Sequence, residues 1–348
     1  MLRAYAIIAV IVIHVTSYFS KIVYFSGLPV VLSSIDIFAQ FAVPMFILLS
    51  GIVLSLRYDG EYSVIMFYKK RINRLLIPYV IWSIIYIIVN IISNPDLSIS
   101  RMIFMIFTGT AYYHLWFFFL IFQLYFIFPF YRKLLKDRSI LIIFITFVIQ
   151  ILFNHYKIGI VEDVHIALII KRLFLSHIFY FSLGIWVADN INKVEILLSK
   201  TNKYAVLILL MLAVHISYVF SFNWLAVNNH FFEAFNTLII LEKILLPLLY
   251  VLIFIVLYLF SVRLRSTKFK NFMEVISKYS FGIYLSHALI LFAIIKVLKP
   301  VKITPDNISF YCITFVGTFL LSMVFCFIIE RTLLSKYLLS IDQKKKVE

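Results

Sequence analysis

Apolar runs about as long as a membrane is thick, joined by loops too short to fold alone, leave this chain few architectures. Ten such runs are readable: residues 2–20, 35–56, 74–92, 114–131, a short 139–153, 173–188, 204–222, 241–261, 276–298 and 308–329. A hydrocarbon core about 30 Å thick needs roughly 20 residues of helix, and that helix must satisfy its own backbone polar groups. With 64% hydrophobic and 14% charged residues, the sequence reads as an all-α polytopic membrane protein and excludes the soluble enzyme classes. The first run is too long for the apolar core of a signal peptide and has no small-residue cleavage site, so it is expected to stay in the membrane. No internal repeat, linker or low-complexity stretch breaks the sequence. The expectation is one membrane domain over residues 1–335 and a short basic tail over 336–348.

A formal charge of +16 would point a soluble protein toward nucleic acid, but no soluble stretch here can carry a nucleic-acid fold. The cations mark topology instead. More than two thirds of the 32 Lys and Arg fall in alternate loops: Arg3; Arg57 and Lys69–Arg74; Arg132–Arg138; Lys193–Lys203; Arg263–Lys278; and Arg331–Lys346. Positive loops stay inside, which predicts ten membrane helices with both termini cytoplasmic. Cys312 and Cys326 share one helical run and lie about 21 Å apart by helix rise, too far for a disulfide.

Within the first run, LRAYAIIAVIVIHV, the ionisable side chains are Arg3 and His14. Eleven residues of helix return almost to the same face, and the two lie about 16 Å apart along the axis. With Arg3 at an interface, His14 falls near the membrane centre, where a polar group faces protein or a wet cavity. It is either a packing residue bonded to a neighbouring helix or a proton-handling group.

Other stretches carry paired readings too. FAVPMFILLSG has a proline expected to kink its helix, and Ser50 and Gly51 allow close helix contact. In FYKKRINRLLIPY, Arg71 and Arg74 are three apart and would share a helical face, as topological anchors or as a phosphate clamp. His114 and Trp116 in YYHLWFFF fit an interfacial aromatic belt or an outward substrate mouth. Ahead of them, RMIFMIFTGT is too short to span and suits a re-entrant or interfacial helix. In YSFGIYLSH, Ser280, Tyr284 and His287 follow helical spacing, with His287 again near mid-membrane. No metal-binding spacing links the histidines, so no metal is expected.

Taken together, LRAYAIIAVIVIH, FAVPMFILLSG, KKRINRLLIPY, HLWFFFLIFQLYFIFP and YSFGIYLSH resemble, in order, the acyltransferase-3 family of integral membrane acyltransferases. That family includes O-acetyltransferases of bacterial surface polysaccharides and the intercellular-adhesion C proteins. The resemblance implies a ten-helix core in the plasma membrane, acyl-CoA (acetyl-CoA first) as co-substrate, and a glycan or lipid-linked sugar as acceptor. Membrane lipid and a glycan-synthesis complex are the expected surroundings; nucleic acid is already left out by the lack of a soluble stretch. By position His14 would be catalytic, with His287 and Tyr284 orienting it or the acceptor. Arg3, Arg71 and Arg74 would serve the donor. The family usually carries several residues, often one acidic, ahead of that first arginine, where this sequence has two. Some members add an extracytoplasmic esterase-like domain; without one, transfer would finish in the membrane domain or on a separate protein. The alternative from another class is an exporter of a polysaccharide or lipid-linked sugar that performs no acyl transfer.

Overall fold

The computed structural model describes residues 1–18, 27–93, 95–156, 164–200, 235–264 and 268–341. Every regular element among them is helical. In chain order they are α1 (Leu2–Thr16), α2 (Gly27–Ala39), α3 (Ala42–Arg57), α4 (Val64–Arg71), a π-helical segment (Ile72–Leu76), α5 (Ile77–Ser93), α6 (Ile99–Thr108) and α7 (Trp116–Tyr156). There follow α8 (Val164–Lys171), a 3-10 turn (Phe174–Ser176), α9 (Ile178–Asp189), α10 (Ile191–Lys200), α11 (Phe235–Arg263), α12 (Lys268–Leu298), α13 (Ile308–Glu330) and α14 (Ser335–Leu338). Among the described residues, seven helical stretches are long and apolar enough to cross a membrane: 28–57, 64–92, 116–135, 139–156, 243–263, 268–298 and 308–330. Shorter apolar helices fill 2–16 and 178–189, and the expected segment at 204–222 lies outside the described residues. The chain is a polytopic, all-α membrane protein.

Proline decides two local departures from a plain helix. Pro44 sits in the first turn of α3, where its missing N–H costs nothing, and the break falls just before it at Gln40–Phe41. Pro78 cannot donate to the carbonyl of Arg74, and its ring crowds that carbonyl. The ladder ahead of it shifts to i→i+5 bonding, closed by Ile77 N–H to Ile72 O, and residues 72–76 become π-helical. Each residue then turns the chain less than an α-helix would, so Arg71 and Arg74 no longer share a face.

The 41 residues of α7 are continuous yet cannot be straight. Gln123 donates to Arg172 O at 3.2 Å and accepts from Phe174 N–H at 3.1 Å, while Asn154 donates to Ser176 O at 3.1 Å. A straight helix would put residues 123 and 154 about 46 Å apart. The α7 chain therefore doubles back between Gln123 and Asn154, and its two limbs match the two expected runs.

Contacts divide the chain into two compact units. Unit 1 holds residues 1–46, 190–280 and 290–322. There α1 packs on α2 and α11, with Ala4, Ala6, Ile7, Val10 and Ile11 buried. Thr16 Oγ1 donates to Asp36 Oδ1 at 3.0 Å, tying α1 to α2. Unit 2 holds residues 47–189, 281–289 and 323–348. In it α3 and α9 cross with their glycines facing: a Cβ on Gly51 would lie 2.6 Å from Phe181 O, and one on Gly184 would lie 2.2 Å from Leu48 O. That is the close contact expected of Gly51. Tyr131 and Ser182 bond at 2.6 Å across α7 and α9, and Arg132 pairs with Asp59 at 3.0 Å and Asp189 at 3.2 Å.

Candidate functional site

In unit 1, helix α1 carries Arg3, exposed near its start, and His14, half-buried in its last turn. Ser17 Oγ donates to His14 O at 3.0 Å in the 3-10 turn that follows α1. Asp36, which the sequence reading passed over, reaches α1 two residues beyond His14 through Thr16, with Gln40 donating to its other oxygen at 3.2 Å. A carboxylate inside the apolar run of residues 28–49 was the signal available for it.

In unit 2, His114, Tyr284 and His287 come together with Tyr86, Tyr112 and Tyr113. The His114 ring centroid lies 4.9 Å from His287, 5.1 Å from Tyr86 and 5.4 Å from Tyr284. Tyr86 stacks on Tyr112 at 4.4 Å. His114 and His287 are buried, while Tyr113 at 45% exposure forms the outer edge of this cage. Tyr284 donates its hydroxyl to His114 O. His287 Nδ1 lies 3.0 Å from Ile283 O, and since a carbonyl only accepts, the proton sits on Nδ1 and Nε2 is the basic nitrogen.

Tyr86 grips the turn that bears His287. Tyr86 donates its hydroxyl to Leu285 O at 2.7 Å and accepts from Leu289 N–H at 3.2 Å. Those two groups are ordinarily each other's partners, four residues apart. The Tyr86 hydroxyl thus bridges both groups at the turn bearing His287, within a continuous helix. Trp116 is half-buried outside the cage, 6.3 Å from His177.

Beside the cage lies a cavity of about 620 Å³ lined by residues that include Asn90, Asp96, Ser98, Arg101, Phe104 and Thr110. Asn90 donates to Ala111 O at 2.8 Å, so the loop leading to Tyr112–His114 is its shared wall. The last carbonyls of α6 are held as well: Ile106 O accepts from Tyr79 and Thr108 O accepts from Arg172 at 2.9 Å. Burial lowers the Arg172 pKa, with nearby Tyr79 acting the other way, and a guanidinium remains charged through such a shift.

Arg71 and Arg74, expected together, are parted by the π segment. Arg71 donates to Tyr58 Oη at 3.1 Å and lies 5.2–5.5 Å from the rings of Phe67, Tyr58 and Tyr125. Arg74 lines a separate cavity with Lys70, Asn73, Lys336 and Ser340. No cluster of metal-ligating groups occurs among the described residues.

Comparison with protein families matches residues 1–327 to a family described as an acyltransferase domain. The chain belongs to the acyltransferase-3 family. Comparison with curated proteins and with solved structures returns no significant match. Four of the five motifs that carry the resemblance lie in the stretches just described: α1, the Arg71–Arg74 turn, the His114 end of α7 and the His287 turn of α12. All five fall within the match to the acyltransferase-3 family.

Proposed function

We propose that this acyltransferase-3 protein works in the plasma membrane. There it moves an acyl group, acetyl first, from cytoplasmic acyl-CoA to a hydroxyl of a cell-surface or lipid-linked glycan. The observation that carries the reading is the family match over residues 1–327, with Arg3 and His14 inside it at helical register. His14, as a neutral imidazole, takes the proton of the acceptor hydroxyl. The hydroxyl oxygen attacks the thioester carbonyl, the C–S bond breaks, and CoA leaves as the thiol once its sulfur takes that proton. A relay through acyl-histidine divides the same transfer into two steps. Arg3 and Arg74 serve the donor phosphates. Arg71, held by Tyr58, Phe67 and Tyr125, braces the turn that presents Arg74.

The cavity at α6 supports a sugar acceptor. Asn90, Asp96, Ser98, Arg101 and Thr110 offer donors and acceptors for ring hydroxyls, and Phe104 gives an apolar face. By the alternation of charge in the loops, this cavity faces outward. The cage next to it supplies His287 and Tyr284 to orient the acceptor.

Release of free thiol from acetyl-CoA by the purified protein in nanodiscs tests the reading. Wild-type protein should release CoA with time, faster when a glycan acceptor is added. Absence of release from acetyl-CoA and succinyl-CoA, with glycan movement across vesicles intact, would assign the chain to export.

A further inference from the structure

Lys70, Asn73 and Arg74 share a cavity of about 180 Å³ with Lys336 and Ser340. Three of these five side chains are cations, two are neutral hydrogen-bonding groups, and among the described residues no carboxylate lines the space. The walls come from distant parts of the chain. One is the end of α4 with the π segment, where Pro78 sets the register that sends Arg74 here and Arg71 to Tyr58.

The other wall is residues 335–340, and uncharged contacts hold it. The Trp82 indole donates to Leu338 O at 3.1 Å, and Ser335 and Leu339 are buried. Leu339 fills a notch at Gly282, where a Cβ would stand 2.5 Å from Leu339 Cδ2 and 2.8 Å from Cys326 Sγ. Ser340 takes a positive φ of 58°, which turns the chain after α14. Lys336 is thus part of a docked wall, held near Lys70 and Arg74 against their mutual repulsion. Cations that only mark topology would need neither this wall nor the neutral groups between them.

We infer that this cavity binds a phosphate group. A guanidinium offers phosphate a planar fork, and lysine supplies a point charge. Asn73 and Ser340 add uncharged hydrogen bonds. Two sources carry this chemistry: the phosphates of the donor nucleotide, and the headgroup of an anionic lipid at the same face. The nucleotide source rests on the acyl-CoA reading above; the anion site does not. Lys336 and Ser340 also lie beyond the residues matched to the family, so membership alone does not assign them.

The test uses full-length protein in nanodiscs, as wild type, Lys336→Gln, Lys70→Gln/Lys336→Gln and Lys336→Arg. In neutral phosphatidylcholine, CoA binding is measured directly and by displacement with inorganic pyrophosphate. In discs containing phosphatidylglycerol, retained anionic lipid is counted by native mass spectrometry. The double variant should lose about tenfold or more in one arm, with Lys336→Arg recovering most of it. A loss in the CoA arm supports a nucleotide phosphate, and a loss in the lipid arm supports a headgroup. Unchanged binding in both arms, or no binding of either probe by wild type, overturns the site. If the double variant fails to fold, the Lys336→Gln single variant and pyrophosphate displacement on wild type decide in its place. Neither arm requires turnover, so a protein without acyl transfer would still show whether the anion site exists.

Discussion

A single imidazole bears most of the proposed chemistry, so the sharpest prediction is made there. His14→Gln keeps a hydrogen-bonding side chain of similar reach and removes the group that accepts a proton at neutral pH. Turnover is expected to fall by about two to four orders of magnitude, the loss typical of a missing general base. KM for acyl-CoA should stay near its wild-type value, because Arg3 lies about 16 Å away along α1. A stable His14→Gln protein with full turnover would make His14 a packing residue. Tyr86 supports a second prediction. Removing its hydroxyl as Tyr86→Phe leaves Leu285 O and Leu289 N–H to the helix ladder, so stability should change by less than about 1 kcal/mol. The His287 turn would lose its anchor to Tyr86, and turnover should drop while the melting temperature holds. A variant that melts early and turns over normally would show that the hydroxyl only stabilises the helix. Depth and helical spacing singled out Arg3, His14 and His287 as candidates in the sequence. The cage was not legible, because Tyr86 in an apolar run looks like any core aromatic and His114 at a helix start looks like an interfacial belt residue.

Elements of this protein are set by a few backbone facts. The crossing of α3 and α9 depends on Gly51 and Gly184, where the nearest atoms are backbone and cannot rotate away. Gly184→Ala is therefore expected to cost toward the upper end of the roughly 1–3 kcal/mol typical of overpacking, read as a lower melting temperature in detergent. Gly317→Ala is the contrasting case: its nearest neighbour is the flexible tip of Ile294, 3.1 Å away, and it should melt nearly as wild type does. Equal melting of the two variants would contradict the close crossing. Helix existence and the small-residue contact could be read from composition and spacing. The parting of Arg71 from Arg74 could not, because an i, i+3 rule assumes an α-helix. Pro78 in that motif was the cue that the register changes.

For the whole molecule, the next quantity to establish is which loops face which side, since every assignment of donor and acceptor depends on it. Charge predicts that reporters fused after Gly60, Asp137, Lys200 and Lys270 give the cytoplasmic signal. Those after Ser26, Pro95, Asn229 and Asp306 should give the outer one. The structure adds a reason at Asp137: it lies in the stretch where α7 doubles back, since Gln123 and Asn154 are both bonded to the segment 172–176. A fusion at Asp137 should therefore share its side with one at Gly60, whose neighbour Asp59 pairs with Arg132. Pro95 and Asp96 border the cavity assigned to the acceptor, so an outer signal at Pro95 is what that assignment requires. The phosphate site sets the converse condition, because Lys70 and Arg74 must share the side of Gly60 to meet a cytoplasmic nucleotide. Alkaline phosphatase and fluorescent-protein fusions report the two sides independently. If Pro95 and Gly60 report the same side, the chain between them does not cross the membrane. Donor and acceptor would then enter from one face, and transfer across the bilayer would be excluded even where acyl-CoA is consumed.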